Sequence, residues 1–352
     1  TIAANGTLSA PRGNLDLANV AFAKNASGTF THNNGNVKFS TAGGSSITTS
    51  DPVLYDLELN QGGSNLDITT NLTIEHNLTV TSGMLRPQPD TKGSELTITF
   101  GTTSYASQLE LDNYGIGFES GGNNTHACAL VGASSLYPFK VLSSSSAGID
   151  LDSGGSSSKV KLANIDYDKD ITSGGGGVTV TLTGDCEFDA VTVSSGDTLD
   201  LNGQRAEFSG LITISGDNGL KDTAGGAFLY TNGITYSSGT QSSTLSNTTY
   251  VAQDGANSHK VQAFIFNKVV TTRNGNIDFA RYGPFNTGTD VIAANTGNLS
   301  NWGRNGSVSN NNILNSLTIA TNATAVPESA TLTLSGDFTT SGGLIGKSGL
   351  DF

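Results

Sequence analysis

The sequence predicts an all-β protein, built as a parallel β-helix or β-solenoid. The first observation is an internal repeat, because residues 57–85 and 317–345 align without a gap and their apolar positions coincide. Leu57 falls on Leu317, for example, and the correspondence continues to the end of the two segments. The second observation is a series of short strand-like segments with apolar residues at every other position, separated by Gly, Asn and Ser. A unit reused near both ends of a chain is typical of repeat architectures.

Composition supports the same fold class. The chain of 352 residues contains 45 Gly and only 13% charged residues. Good helix formers such as Glu and Lys are therefore scarce, whereas Val, Ile and Thr occupy the alternating positions that favour strands. Disorder is the competing interpretation of so much Gly and Ser, but regular apolar alternation supplies the groups for a core. A string of β-sandwiches is the alternative architecture, and it predicts longer strands and more inward aromatic residues.

The predicted strands follow one another along most of the chain. Residues 1–50 contain several strands of two to five residues, and the pattern becomes more regular over 54–85 before it resumes at 96–111. Over 178–220 two stretches resemble each other with a shift of roughly 20 residues, which fits one turn of a solenoid. Inward Val, Leu and Ile are then expected to stack in columns, while Gly and Asn occupy corners that need positive φ.

Residues 222–312 interrupt this rhythm. The segment holds ten of the 25 aromatic residues and has a net charge of +1, whereas the whole chain has −13. We therefore predict a β-solenoid over 1–221, an aromatic-rich insertion or widened lateral lobe over 222–312, and resumed solenoid coils over 313–352.

The charge and the apolar content limit the partners. A net charge of −13 repels phosphate backbones, so we expect no nucleic-acid binding. No run of about 18 apolar residues occurs, and the sequence therefore predicts no helix inserted in a membrane.

Residue types that carry metal or thiol chemistry are sparse. His32, His76, His126 and His259 stand alone in the sequence, and we expect each to be a solvated surface residue. The sequence predicts no metal site and no cofactor. Whether Cys128 and Cys186 form a disulfide stays open at this point.

Catalysis is not expected either. Cleavage of a glycosidic bond needs two carboxyl groups held at a defined separation. Pairs such as Asp185 and Glu187 also arise whenever Asp and Glu decorate a solenoid surface, and no cluster of Asp, Lys, Arg and His converges in the sequence. We therefore predict that the protein is not an enzyme.

The distinctive surface hypothesis concerns the aromatic segment. Tryptophan, tyrosine and arginine dominate recognition surfaces because they combine large rigid contact area with directional donors. The candidate binding residues are Trp302, Arg304, Arg281, Tyr282 and Phe285. The alternative is that these aromatic side chains fill the core of the lobe or cap the solenoid.

Three stretches carry a resemblance to a known group of proteins: FTHNNGNVKFSTAGGSSITTSDPVLYDLELNQGG (30–63), NLTIEHNLTVTSGML (71–85) and VTVSSGDTLDLNGQ (191–204). They resemble the repetitive β-helical virion proteins of tailed bacteriophages, and less closely the secreted filamentous-type bacterial adhesins. These motifs are common to β-helices, so no catalytic residues are carried over.

The resemblance implies a structural or adhesive virion component, such as a tail fibre, spike or surface decoration, that presents a recognition surface to a host envelope or glycan. The implied partners are other virion proteins, a host surface glycan or protein, and further copies of the chain in a homotrimer or other symmetric oligomer. The implied location is the virion surface. One alternative is an extracellular adhesin or passenger domain on a bacterial cell surface, and another is a polysaccharide lyase or hydrolase on a β-helix.

Overall fold

A computed structural model of the chain describes about two thirds of its residues. It describes residues 1–48, 50–88, 95–104, 108–111, 116–117, 127–136, 138–143, 149–150, 159–167, 171–172, 177–236, 245–253, 259, 266–271, 276–278, 290–293, 298–302, 312–314, 316–319, 324–327, 332–334, 337–341 and 343–344. The described residues form β-strands and no α-helix. No helix in these ranges is long and apolar enough to cross a membrane.

The chain divides into two compact units, Thr1–Glu187 and Phe188–Phe352. The strands of the first unit are, in chain order, β1 (Thr7–Ser9), β2 (Asn14–Leu17), β3 (Ala21–Ala23), β4 (Thr29–Thr31), β5 (Asn36–Phe39), β6 (Ser45–Thr48), β7 (Val53–Leu54), β8 (Asp56–Ile68), β9 (Leu72–Ile74), β10 (Asn77–Pro87), β11 (Glu95–Phe100), β12 (Gln108–Leu111), β13 (Ile116–Gly117), β14 (Ala127–Gly132), β15 (Phe139–Ser143), β16 (Ile149–Asp150), β17 (Lys159–Ala163), β18 (Ile165–Tyr167), β19 (Ile171–Thr172) and β20 (Thr179–Leu182). Strand β21 (Cys186–Phe188) contains the boundary.

The strands of the second unit are also short, with two to five residues each. They are β22 (Val191–Val193), β23 (Thr198–Asp200), β24 (Arg205–Phe208), β25 (Ile212–Ile214), β26 (Leu220–Lys221), β27 (Phe228–Thr231), β28 (Ile234–Tyr236), β29 (Thr249–Ala252), β30 (Lys268–Thr271), β31 (Asn276–Asp278), β32 (Asp290–Ala293), β33 (Asn298–Trp302), β34 (Asn312–Leu314), β35 (Ser316–Ile319), β36 (Thr324–Pro327), β37 (Leu332–Leu334), β38 (Phe338–Thr340) and β39 (Gly343–Leu344).

Within the first unit the strands pair in parallel along three ladders, and one passage through the three ladders is one coil. The first ladder runs from β2 through β5, β8, β10, β12 and β15 to β18. The second runs from β3 through β6, β8, β10 and β13 to β16, because β8 and β10 bend and serve both ladders. The third runs from β7 through β9, β11, β14 and β17 to β20. The predicted parallel β-solenoid is confirmed.

The second unit repeats the arrangement. Its first ladder runs from β24 through β27, β29, β30, β32 and β35 to β38. The second ladder is formed in two stretches. One comprises β22, β25 and β28, and the other comprises β31, β33, β36 and β39. Two third-ladder pairs join β23 to β26 and β34 to β37.

Inward side chains form the predicted apolar columns. Val37, Leu57 and Leu78 occupy one register position on three successive coils and are all buried. In the second unit Leu317 and Ile319 are buried in the same way. Each fully buried aliphatic side chain contributes about 1.5–3 kcal/mol relative to exposure, so the columns hold the coils together along with the backbone ladders.

The corners use positive φ, as predicted for Asn and Gly. Asn33 and Asn164 have φ of 50° and 54°, and their side-chain amides donate to the carbonyls of Ala10 and Gly132 on the preceding coil, at 2.7 and 2.8 Å. Asparagine therefore tolerates the left-handed backbone and adds a bond between coils, which glycine cannot make. Gly83 also has a positive φ, of 92°, and there only glycine fits, because a Cβ would lie 2.3 Å from the Ser64 carbonyl oxygen.

Coil length varies most in the first unit. Leu57 pairs with Leu78 at a step of 21 residues, but Leu78 pairs with Leu109 and Leu109 with Val141, at steps of 31 and 32. Parallel pairing also continues through the described strands of residues 222–312. The insertion or lobe over 222–312, with its boundaries, stays a prediction because much of that segment lies outside the described residues.

Candidate recognition surface

The outward side of the first ladder in the second unit carries an unusual set of side chains. In β24 and β27 the inward residues Ala206, Phe208 and Leu229 are completely buried. The alternation of side chains along a strand then turns Arg205 and Phe228 outward. The parallel register sets Phe228 beside Arg205, and Tyr230 beside Glu207 on the same outward side.

These outward residues contact one another. The Arg205 guanidinium carbon lies 4.9 Å from the centre of the Tyr230 ring, and Arg205 also forms an ion pair with Glu207. Gln253 donates from its side-chain amide to the second carboxylate oxygen of Glu207, at 3.0 Å. Phe228 is open to solvent, because 48% of the residue is exposed. We call Arg205, Glu207, Phe228, Tyr230 and Gln253 the aromatic patch.

A buried carboxylate fixes the strands that carry the patch. Asp222 accepts backbone hydrogen bonds from Gly203, Gly225 and Ala227, at 2.7, 3.0 and 2.9 Å, and one from the Thr248 hydroxyl at 2.8 Å. These partners lie just before β24, β27 and β29 in the chain. One side chain therefore joins the starts of three neighbouring strands, and it holds the aromatic patch in register.

The inward side beneath the patch is aromatic and buried. Phe188 and Phe208 stack with ring centres 5.2 Å apart, and Tyr250 packs on Phe266 at 4.9 Å. The Tyr250 hydroxyl lies 2.7 Å from Nδ1 of His259. Nε2 of His259 lies 3.1 Å from the Gln253 carbonyl, which can only accept, so Nε2 carries the proton and the Tyr250 hydroxyl donates to Nδ1.

His259 corrects one expectation from the sequence. We expected a solvated surface histidine, but His259 is completely buried and forms a parallel bridge with Ile234. Burial lowers the pKa of His259 to about 4, since desolvation disfavours the charged imidazolium. Burial likewise raises the pKa of Tyr250 well above its usual value. The Tyr250–His259 pair is thus neutral at physiological pH.

In the first unit the two described histidines, His32 and His76, lie nearer the surface than His259 does in the second unit. The rings of His32, Tyr55 and His76 stack across successive coils, with centres 5.7 and 4.7 Å apart. His32 also lies 3.2 Å from a Glu75 carboxylate oxygen, and His76 lies 2.8 Å from one of Asp56. Both histidines are partly exposed, as expected, but each has a carboxylate partner. His126 lies outside the described residues.

The five residues predicted for binding are largely beyond what the structure describes. Trp302 is the last residue of β33, where its backbone pairs with Pro327, and its side chain is not among those described. Arg281, Tyr282, Phe285 and Arg304 lie outside the described residues. Their role in binding stays a prediction.

Phe228 and Tyr230 are among the ten aromatic residues of 222–312, but the sequence analysis did not place them beside Arg205 and Glu207. The structure pairs RAEF (205–208) with FLYT (228–231), at a step of 23 residues that is close to the coil length predicted from sequence. The pairing was not predicted because the two segments share no obvious similarity in composition.

Other candidate chemistry is limited in the described part of the chain. Cys128 and Cys186 are both free and buried, and burial raises the pKa of the Cys186 thiol to about 12. No group of three or more His, Cys, Asp or Glu among the described residues is arranged to hold a metal ion. Asp166 lies on the outward side of β18, where its carboxylate oxygen is 3.4 Å from Nζ of Lys140. Tyr167 is buried on the opposite side of the same strand.

Comparison with known proteins gives no relative, since neither a protein-family model, nor a curated protein, nor a solved structure matches this chain. The aromatic patch offers an open aromatic ring together with a guanidinium, a carboxylate and an amide. Such a set can bind a ligand that has both an apolar face and hydrogen-bonding groups.

Proposed function

We propose that the chain is a structural and adhesive component of a virion, such as a tail fibre, spike or surface decoration, that binds a glycan of the host envelope. The observation that supports this most directly is the exposed Phe228 beside the Arg205–Glu207 pair on a rigid parallel ladder. Parallel coils give a stiff support, and a stiff support presents side chains with little loss of conformational entropy on binding.

The patch favours binding over cleavage. It contains one carboxylate, that of Glu207, whereas hydrolysis of a glycosidic bond ordinarily uses two. We therefore propose that the chain binds glycan without cleaving it and is not an enzyme. The virion surface as the location is proposed from the resemblance of the three sequence stretches to phage β-helical proteins.

We also propose that the chain acts as a symmetric homo-oligomer, a homotrimer by preference, alongside other virion proteins. Weak contacts to a glycan gain strength when several copies bind together, because each further contact is intramolecular. Light scattering on the purified chain tests this part, and a monomer at all concentrations would contradict it.

A glycan-array experiment tests the binding proposal. Phe228→Ala removes the exposed ring, and Phe338→Ala is the matched control, because Phe338 lies in the same unit and is exposed to a similar degree, 41%. We expect the array signal to fall about tenfold for Phe228→Ala, which corresponds to about 1.4 kcal/mol, and to persist for Phe338→Ala. Equal signals for the two variants and the parent chain would reject the aromatic patch as the binding surface.

The same assay addresses the residues predicted from sequence. Trp302→Ala and Arg281→Ala are expected to weaken binding if the surface extends beyond the patch. Unchanged affinity in both variants would confine the surface to the first ladder.

A further inference from the structure

The charges around the aromatic patch indicate which class of glycan it accepts; this inference rests on the proposed glycan binding. Arg205 stands beside Phe228 on the neighbouring strand, and it is paired with the Glu207 carboxylate. The pair has no net charge. The chain as a whole has a net charge of −13, so its long-range field repels polyanions.

The outward neighbours on the next coil are uncharged. The register places the partly exposed Thr249 next to Phe228, and Val251, which is buried, next to Tyr230. One coil further the pairing adds Lys268 and Val270. Neighbouring strands lie about 4.8 Å apart, so Lys268 lies roughly 10 Å from the Phe228 position along the ladder. The described surface directly beside Phe228 on this side is therefore aromatic and hydroxylic.

The hydrogen-bonding groups of the patch suit vicinal hydroxyl groups. A carboxylate has about four acceptor sites and a guanidinium five donors, so the pair has capacity beyond its own contact. A sugar hydroxyl both donates and accepts, and it can bridge the two groups without bringing a charge. An anionic ligand would instead have to compete with Glu207 for Arg205.

We propose that the aromatic patch binds an uncharged hexopyranose unit of a glycan. The apolar face of the pyranose ring lies on Phe228, and its hydroxyl groups hydrogen-bond to Arg205, Glu207 and Gln253. The patch selects against glycans that carry carboxylates, because Glu207 and the negative field of the chain oppose them.

A binding panel with the full chain tests this class. The neutral probes are dextran and mannan, and the acidic probes are polygalacturonate and alginate, each measured at low and at high salt. We expect binding to at least one neutral probe, with little dependence on salt, and an approximately tenfold loss in Phe228→Ala but not in Phe338→Ala. Glu207→Gln leaves Arg205 uncompensated, and it should increase binding of the acidic probes at low salt by about fivefold.

The outcomes separate this inference from the proposed function. Binding of the acidic probes alone, lost in Phe228→Ala, would overturn the preference for neutral sugars and leave glycan recognition by the patch intact. Absence of any binding that depends on Phe228 would overturn both. Increased binding of acidic probes in Glu207→Gln, with neutral binding in the parent chain, would establish the charge-based selection.

Discussion

The first ladder looks different in the two units, although its backbone pairing is the same. In the first unit its outward side chains bond to one another: Asn36 donates to Glu58 at 2.9 Å, and Lys38 donates to the same carboxylate at 2.5 Å. In the second unit the corresponding side carries Phe228 and Tyr230, beside Arg205. The comparison shows that the coils are held by inward columns and backbone pairing. The outward positions can therefore be polar in one unit and partly aromatic in the other, where we propose the contact surface.

The largest expected effect concerns how the second unit fixes the strands of the aromatic patch. Asp222→Ala removes the acceptor for three backbone N–H groups and one hydroxyl, and buried donors left without acceptors each cost about 1–3 kcal/mol. We expect the free energy of unfolding to fall by about 3–5 kcal/mol in urea denaturation. Asp337→Ala, at an exposed carboxylate of the same unit, is the control, and an equal small loss in both variants would contradict the role of Asp222.

The second prediction concerns the stability of the second unit at low pH. The pKa of His259 in the folded chain is about 4, below the value of about 6.5 in an unfolded chain, so the unfolded state binds the proton first. The stability of the second unit should be fully present above pH 6.5 and decrease by about 3 kcal/mol as the pH falls to 4. Urea denaturation at a series of pH values measures this loss. His259→Gln should flatten that part of the profile, whereas an unchanged profile would show that His259 does not cause it.

Much of this contrast could not be predicted from the sequence. Strand alternation predicted the inward columns of Val37, Leu57 and Leu78, and the preference of Asn for positive φ predicted the corners. The Asp222 contacts span up to 26 residues and depend on how coils of unequal length come into register. The burial of His259 was missed for a related reason, because one residue outside a regular strand shows no periodicity.

A smaller effect should appear in the first unit. The rings of His32, Tyr55 and His76 stack across successive coils, and the two histidines contact the carboxylates of Glu75 and Asp56. Partly exposed contacts of this kind contribute about 0.5 kcal/mol each. The double variant His32→Gln with His76→Gln should therefore lose about 1 kcal/mol of the free energy of unfolding in urea denaturation. An unchanged free energy of unfolding would show that these contacts do not stabilise the first unit.

The smallest effect is expected on the polar side of the first unit. Lys38→Met removes a partly exposed ion pair with Glu58 but keeps most of the side-chain volume. We expect a loss of at most about 1 kcal/mol in urea denaturation, and no change in glycan binding. A loss of binding in Lys38→Met would place part of the recognition surface on the first unit.

The proposal that the second unit binds glycan and the first does not can be tested directly by hydrogen–deuterium exchange on the chain with and without saturating neutral glycan. We predict slower exchange on binding in residues 205–231 and unchanged exchange in residues 36–59. Protection of 36–59 in place of 205–231 would contradict the assignment of recognition to the second unit.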